Sequence, residues 1–463
     1  MVRYVSTRGE APVLNFEEVL LAGLARDGGL YVPAEWPHFA PKDWEALAGL
    51  DYPALAARVM RPFVGDVLGE DEFTALVAEA YAGFDHAAIT PLREIAANEW
   101  ILDLFHGPTL AFKDVALQLL GRLFDAVLAR RGERVTIVGA TSGDTGSAAI
   151  EACRDRAAVT IFMLHPKGRT SDVQRRQMTT VQADNVFNIA IEGTFDDCQG
   201  LVKAMFNDLA FRDALRLSAV NSINWARVMA QIVYYVHAVL ALGGRPLVFS
   251  VPTGNFGDVF AGYVAAQMGL PIARLIVATN VNDILARTFA TGGHTLGAVQ
   301  PTMSPSMDIQ ISSNFERLLF DLYGRDGGAV RGLMAGLEAS GGFHLGEQQR
   351  RAAAALFTSH RVDEDQTLAT IGAVYRQTGA LIDPHTAVGV AAGRACRQPG
   401  DAPLVSLATA HPAKFPAAVE QATGIAPRLP ARLADLMSRK ERYVTLPRDL
   451  GAVQDYIRQK AAP

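Results

Sequence analysis

Apolar positions change their period once along this chain. From Phe16 to about Asn98 they recur at helical spacing, as in Glu17-Glu18-Val19-Leu20-Leu21 and Asp71-Glu72-Phe73-Thr74-Ala75-Leu76-Val77, with Pro- and Gly-rich turns between them. Beyond that point short apolar runs alternate with longer helix-period segments, which is how the strands and helices of a parallel sheet read in sequence. The runs predict strands at Trp100–Leu104, Val135–Val138, Val159–Leu164, Phe187–Ile191, Leu247–Val251, Leu275–Ala278 and Leu404–Leu407. The segment from Gly292 to Gln310 reads as a long loop, a feature that is often functional in a compact protein. The pattern implies an α/β protein with a helical N-terminal region, 1–98, followed by a smaller α/β unit, 99–225, and a larger one, 226–463.

One residue sits against this pattern. The stretch from Phe105 to Leu120 reads as a strand end, a Gly107-Pro108 turn and a helix starting near Leu110, with Lys113 in its first turn. Counting four, seven and eleven residues on from Lys113 reaches Leu117, Leu120 and Phe124, so the lysine shares a face with three large apolar side chains. Asp114, Gln118 and Arg122 form the polar face. The helix N-terminus opposes a cation and burial disfavours the charged form, so both push the amine toward neutrality. A neutral amine forms Schiff bases with carbonyl compounds, pyridoxal phosphate among them. On this segment alone the other reading is a packed stem whose ammonium reaches water.

Two turns between a strand and a helix are suited to anions. The first is Gly139-Ala140-Thr141-Ser142-Gly143-Asp144-Thr145-Gly146 and the second is Pro252-Thr253-Gly254-Asn255-Phe256-Gly257. Each opens a helix and so presents free backbone N–H groups. Gly254 and Gly257 let backbone approach a ligand closely, and a phosphate is the natural occupant. Neither turn carries the P-loop lysine or the spaced glycines of a dinucleotide site, which disfavours an NTPase. Taken singly, each is also compatible with an ordinary short βα turn. Thr409 lies just past the run at 404–407. Open α/β sheets bind ligands at the carboxyl ends of their strands, so the lysine, both turns and Thr409 point to one crevice.

Charge and composition remove other classes. The 463 residues carry 43 basic and 48 acidic side chains, a formal charge of −5, with no basic block dense enough to track a nucleic-acid backbone. The longest apolar stretch, near Ile232 to Leu242, is broken by His237 and falls short of a bilayer span, and the first residues lack the order of an export signal. Cys153, Cys198 and Cys396 are widely separated and read as reduced, buried thiols. The ten histidines have no zinc-binding spacing. A cytoplasmic enzyme without metal, membrane or nucleic-acid partner is the expectation.

A lysine after a Gly-Pro turn, a Ser-Gly-Asp-Thr-Gly loop, a Gly-Asn-Phe-Gly loop and a late hydroxyl residue together resemble the pyridoxal-phosphate enzymes of the tryptophan-synthase β-subunit class, and within it the threonine synthases of the longer form with an N-terminal domain. The likeness extends over Asp27-Gly28-Gly29-Leu30-Tyr31-Val32-Pro33, His106-Gly107-Pro108-Thr109, Ser304-Pro305-Ser306-Met307-Asp308-Ile309, Ser312-Ser313-Asn314-Phe315-Glu316-Arg317 and Asp383-Pro384-His385-Thr386-Ala387. It implies two open, mostly parallel sheets flanked by helices, in a monomer or homodimer. Lys113 would hold pyridoxal 5'-phosphate as a Schiff base, Gly254, Asn255, Phe256 and Gly257 would cradle its phosphate, and Thr409 would face the pyridine nitrogen. Ser142, Gly143, Asp144 and Thr145 would lie beside the ring and the substrate carboxylate.

The implied reaction converts O-phospho-L-homoserine and water to L-threonine and phosphate. Lys113 would move protons at Cα and Cβ, phosphate would leave from Cγ and water would add at Cβ. Threonine-synthase-like proteins in animals share the cofactor motifs, and related lyases eliminate phosphate but release a 2-oxo acid, so a lyase is the alternative reading. The substrate phosphate needs a cationic pocket of its own, for which Lys167, Arg169, Arg175 and Arg176 are candidates, although the same four could form a solvated helix face.

Overall fold

The computed structural model describes residues 2–218 and 222–461. All seven predicted strands form, close to their expected ends, and fall into two sheets. The six-stranded sheet runs in the order Phe357–Arg361, Ile272–Thr279, Leu247–Pro252, Leu404–Ala408, Glu99–Asp103, Leu92–Ala96, and only the last strand is antiparallel to its neighbour. The five-stranded sheet, in the order Val444–Pro447, Val186–Glu192, Val159–Pro166, Val135–Ala140, Leu217–Ser218, is parallel throughout. Leu247–Pro252 and Leu404–Ala408 are buried at every position, the mark of central parallel strands covered on both faces.

Within these two sheets, the strands that the apolar runs do not predict are the four edges: Leu92–Ala96, Phe357–Arg361, Val444–Pro447 and Leu217–Ser218. Edge strands are short and half solvated, so Phe357-Thr358-Ser359-His360-Arg361 carries no apolar run to betray it. The expected division of the chain also shifts. Glu99–Asp103, placed at the head of the smaller unit, pairs in the six-stranded sheet, and Val444–Pro447, placed in the larger unit, pairs in the five-stranded one. Each sheet is therefore built from separated chain segments. The N-terminal region is mainly helical but contains an antiparallel pair, Tyr4–Ser6 with Tyr31–Pro33, and the expected loop from Gly292 begins with a strand, Gly293–Thr295, paired to Gly342–His344.

The chain crosses between the sheets along two helices, Lys113–Arg131 and Trp225–Ala241, which pack on each other. The second absorbs most of the apolar stretch near Ile232, and among the described residues no helix is long and apolar enough to cross a membrane. The first starts at Lys113, later than expected, because Leu110 takes a left-handed conformation (φ 63°) and Ala111 bridges to Ala410. Its anticipated polar face is not solvated. Asp114 and Gln118 are buried, since the helix is enclosed by Glu70–Tyr81, Asp144–Cys153 and Trp225–Ala241. Asp114 instead accepts bonds from the Thr109 N–H and hydroxyl, both at 2.7 Å. Cys153 and Cys198 are buried free thiols, whereas Cys396 is partly exposed, contrary to expectation.

This packing needs one glycine in particular. A Cβ on Gly121 would lie 2.2 Å from the Ala152 carbonyl oxygen, and that atom is backbone and cannot step aside. Gly121→Ala is expected to destabilise the protein by about 1–3 kcal/mol through overpacking. Equilibrium denaturation checks this, and an unchanged midpoint would mean that the two helices part without cost.

Candidate active site

The carboxyl ends of three strands lead to Lys113, that of Val135–Ala140 through Asp144. Glu99–Asp103 leads into the turn before it, and Leu404–Ala408 leads to Thr409, whose carbonyl accepts the Phe112 N–H at 2.8 Å. Lys113 is only 8% exposed, so its side chain is packed rather than laid across the surface. Its Nζ lies 5.0 Å from the centroid of the Phe112 ring and 3.7 Å from Asp144 Oδ2. Burial drives its pKa below the usual lysine value. The Asp144 charge opposes that shift, and the positive charges of Lys414 and Arg227 reinforce it.

Asp144, the first residue of the helix Asp144–Cys153, is a hub. Its Oδ1 pairs with Lys414 Nζ at 2.7 Å and accepts from Gln174 Nε2 at 2.9 Å, and its Oδ2 accepts from Ser306 Oγ at 3.4 Å. Burial works against its charge, yet Lys414 and then Lys113 hold its carboxyl far below the ordinary range. Asp144 is thus committed to two lysines and an amide. Of the neighbours named with it, Ser142 is exposed and Thr145 half-buried, and neither side chain makes a hydrogen bond among the described residues. Gly143, at φ 153°, is required because a Cβ there would sit 2.5 Å from the Gln174 side chain.

The second turn is fixed by the segment from Ser304 to Asn314. Ser312 Oγ donates to the Gly254 carbonyl at 2.6 Å, and Asn314 donates its backbone N–H and its amide to the Asn255 carbonyl, both at 3.1 Å. A Cβ on Gly254 would meet the Ser306 carbonyl oxygen at 2.8 Å. Phe256 is left-handed (φ 63°), an unusual state for an aromatic residue, and its ring packs with Phe289, Phe315 and Phe357. Phe256 thus offers backbone alone to the crevice. The helix Gly257–Gln267 has no side-chain cap among the described residues, so the N–H groups of its first turn stay available. The Asn255 amide and the Thr409 hydroxyl also make no bond among the described residues, although Thr409 is buried.

His385, which the sequence suggests is a turn histidine, belongs to this scaffold. Asp383 holds its Nδ1 at 2.7 Å, and its Nε2 accepts the Ser306 N–H at 3.2 Å, so it anchors the segment that touches both Gly254 and Asp144. Ser304 and Asp308 are tied to Asn280 at 3.0 and 2.8 Å. His106 pairs with Asp85 at 2.8 Å.

The expected cationic cluster lies outside this web of bonds. Lys167 is exposed and pairs with Glu192 at 3.0 Å, Arg169 is exposed, and Arg175 and Arg176 both pair with Glu441. The helix Asp172–Thr179 instead turns Gln174 and Gln177 inward, and Gln177 Nε2 donates to the Thr109 carbonyl at 2.9 Å. The buried cations near Lys113 are Lys414 and Arg227, neither of which belongs to the predicted cluster. Lys414 is fully buried and also donates to the Thr109 carbonyl at 2.8 Å. Arg227 is 5% exposed, its Nη1 has no partner among the described residues, and burial lowers its pKa to about 10.

These donors suit a phosphorylated aldehyde: a buried amine for the carbonyl, an uncapped helix start and an unpartnered guanidinium for the phosphoryl group, and a free hydroxyl beyond. Comparison with known proteins agrees. Residues 84–409 match the family described as pyridoxal-phosphate dependent enzyme, with threonine synthase N terminus matched at 3–81 and threonine synthase, C-terminal, at 386–457. The threonine synthase of Pseudomonas aeruginosa is 59% identical over 461 residues, covering 99% of this chain and 98% of the relative. A crystal structure of PLP-bound threonine synthase from Brucella melitensis is 57% identical with a TM-score of 0.99 and covers 100% of both chains. The yeast threonine synthase structure follows at 39% and 0.95, covering 99% of this chain and 98% of that one. With matches of this length and identity spanning both turns and the lysine, the chain belongs to the pyridoxal-phosphate-dependent threonine synthases.

Proposed function

We propose that this protein converts O-phospho-L-homoserine and water to L-threonine and phosphate, with Lys113 as the residue that binds the cofactor and moves protons. The observation that carries the reading is a largely buried lysine side chain, 8% exposed, at the carboxyl ends of parallel strands and beside Asp144 and Thr409. Pyridoxal phosphate, when bound, supplies an electron sink for charge developing at the substrate's Cα. The free N–H groups at the start of Gly257–Gln267 and the close backbone of Gly254 and Asn255 suit the cofactor phosphate. The Thr409 hydroxyl suits the ring nitrogen. A hydroxyl cannot hold that nitrogen protonated by charge, so the chain's own groups must steer where protons go.

Lys113 meets the first need of a general base, an amine held within the site with its pKa lowered by burial, and it can take a proton at Cα and return one at the carbons beyond. The N-terminal turn of Asp144–Cys153, with Ser142 and Thr145, suits the substrate carboxylate. Arg227, without a carboxylate partner among the described residues, suits a phosphoryl group better than the solvated Lys167 and Arg169 do. A cytoplasmic monomer or homodimer completes the reading, supported for the compartment by three free thiols.

Incubation with O-phospho-L-homoserine is expected to release threonine and phosphate in equal amounts, measured by amino-acid analysis and a phosphate assay. If 2-oxobutyrate were the main product, the protein would be an eliminating lyase.

A further inference from the structure

Two buried lysines share one buried carboxylate, and they share it unequally. Asp144 Oδ1 meets Lys414 Nζ at 2.7 Å and Gln174 Nε2 at 2.9 Å, whereas Asp144 Oδ2 is 3.7 Å from Lys113 Nζ, too far for a hydrogen bond. Lys414 has a second acceptor, the Thr109 carbonyl at 2.8 Å, and is wholly shielded from water. Lys113 has no comparable support. The ring of Phe112 lies to one side of it, and the remaining charge that reaches it, from Arg227, is repulsive. One negative charge can neutralise one ammonium. The geometry gives that charge to Lys414.

We propose that Lys414 is a positioning residue for Lys113: by keeping Asp144 in an ion pair of its own, it leaves the Lys113 amine uncharged and able to attack an aldehyde. The inference rests on the reading of Lys113 as the cofactor lysine. The chemical step at stake is the condensation of a primary amine with the cofactor aldehyde. The nitrogen lone pair forms the new bond to carbon, and the aldehyde oxygen leaves as water with the two amine hydrogens. An ammonium has no lone pair and must first lose a proton, so the rate follows the uncharged fraction of Lys113. The groups that set this fraction come from every element packed around it: Asp144, Lys414 and Arg227 directly, with Gln174 and Ser306 steadying Asp144.

The test follows condensation rather than turnover. Full-length protein is stripped of cofactor, pyridoxal phosphate is added back, and the rate of imine absorbance is recorded against pH. Lys414→Met frees Asp144 to pair with Lys113, so the profile is expected to move to higher pH, with condensation at neutral pH slowed about tenfold for each unit moved. Lys414→Met combined with Asp144→Asn removes the competing carboxylate and should bring the profile back, a rescue that loss of packing alone would not produce. Asp144→Asn by itself leaves Lys113 beside an unneutralised Lys414 and should move the profile to lower pH, which decides the matter even if Lys414→Met does not fold. An unmoved profile in Lys414→Met, a double variant no better than the single, or an Asp144→Asn profile that stays in place overturns the proposal. Borohydride fixation and mapping of the labelled lysine in wild-type protein keep the two ideas apart: a label away from Lys113 sinks the underlying reading, whereas a label on Lys113 with unmoved profiles sinks only the role of Lys414.

Discussion

Lys113→Ala is expected to abolish covalent attachment of the cofactor and to lower threonine formation by roughly 10²–10⁴-fold, the range over which a positioned acid–base group contributes. The protein should still fold. Asp144 keeps Lys414 and Gln174 as partners when the Lys113 amine is removed, so no buried charge is left stranded. Lys414 is poorly placed to stand in, because its ammonium is committed to Asp144 and to the Thr109 carbonyl with no exposed surface. The measurement is the absorbance of purified variant and wild type before and after borohydride, followed by peptide mapping. A Lys113→Ala protein that still retained cofactor covalently would move the assignment to another lysine, and Lys414 would be examined first.

How far the amino-acid sequence reveals this architecture depends on where each signal lies. The central strands are visible because parallel strands covered on both faces are apolar at nearly every position, as at Leu247–Pro252. The edge strands are hidden for the opposite reason, and the exact division of the chain is hidden with the long-range pairings, of Glu99–Asp103 with Leu404–Ala408 and of Val444–Pro447 with Val186–Glu192, which no local run reports. Lys113 stands out because it interrupts an apolar face. Its neighbour Asp114 mimics a solvated face, because a helix enclosed on several sides can bury a polar group that has bonding partners, and sequence periodicity does not report partners.

The cations are where the sequence misleads most. The run of basic residues from Lys167 to Arg176 is conspicuous, yet two of these side chains lie exposed at the surface and two are neutralised by Glu441. Near Lys113 the buried positive charge comes from the isolated Arg227 and Lys414. A usable signal does exist for Arg227, an arginine in the first turn of an otherwise apolar helix, in Trp225-Ala226-Arg227-Val228-Met229, where both burial and the helix N-terminus oppose a cation. The same two effects single out Lys113. Lys414, in a short turn after a strand, has no such periodic context to mark it.

Arg227→Met is the variant in which fold and function should pull in opposite directions. Arg227 lies four residues before Gln231 on one helix, hence on the same face, and the Gln231 amide oxygen comes within 3.9 Å of the Cβ position of Gly257. Arg227 therefore lies one helical turn from a residue beside the phosphate-suited turn, with its Nη1 unpartnered and no carboxylate bound among the described residues. Without an anion this is a buried charge held at a cost, so replacing it by an apolar side chain of similar length should stabilise cofactor-free protein by roughly 1–3 kcal/mol. With an anion present the balance reverses. A charge-assisted hydrogen bond contributes about 1.5–3 kcal/mol, so affinity for the phosphorylated ligand should fall roughly 10- to 150-fold. Thermal melting of the stripped protein reads the first effect, and titration with pyridoxal phosphate beside steady-state kinetics on O-phosphohomoserine reads the second. Weakened binding of pyridoxal phosphate, with pyridoxal itself unaffected, assigns Arg227 to the cofactor phosphate. A raised KM with cofactor affinity intact assigns it to the substrate. A variant that melts no higher and binds both ligands as before would mean that Arg227 serves neither anion.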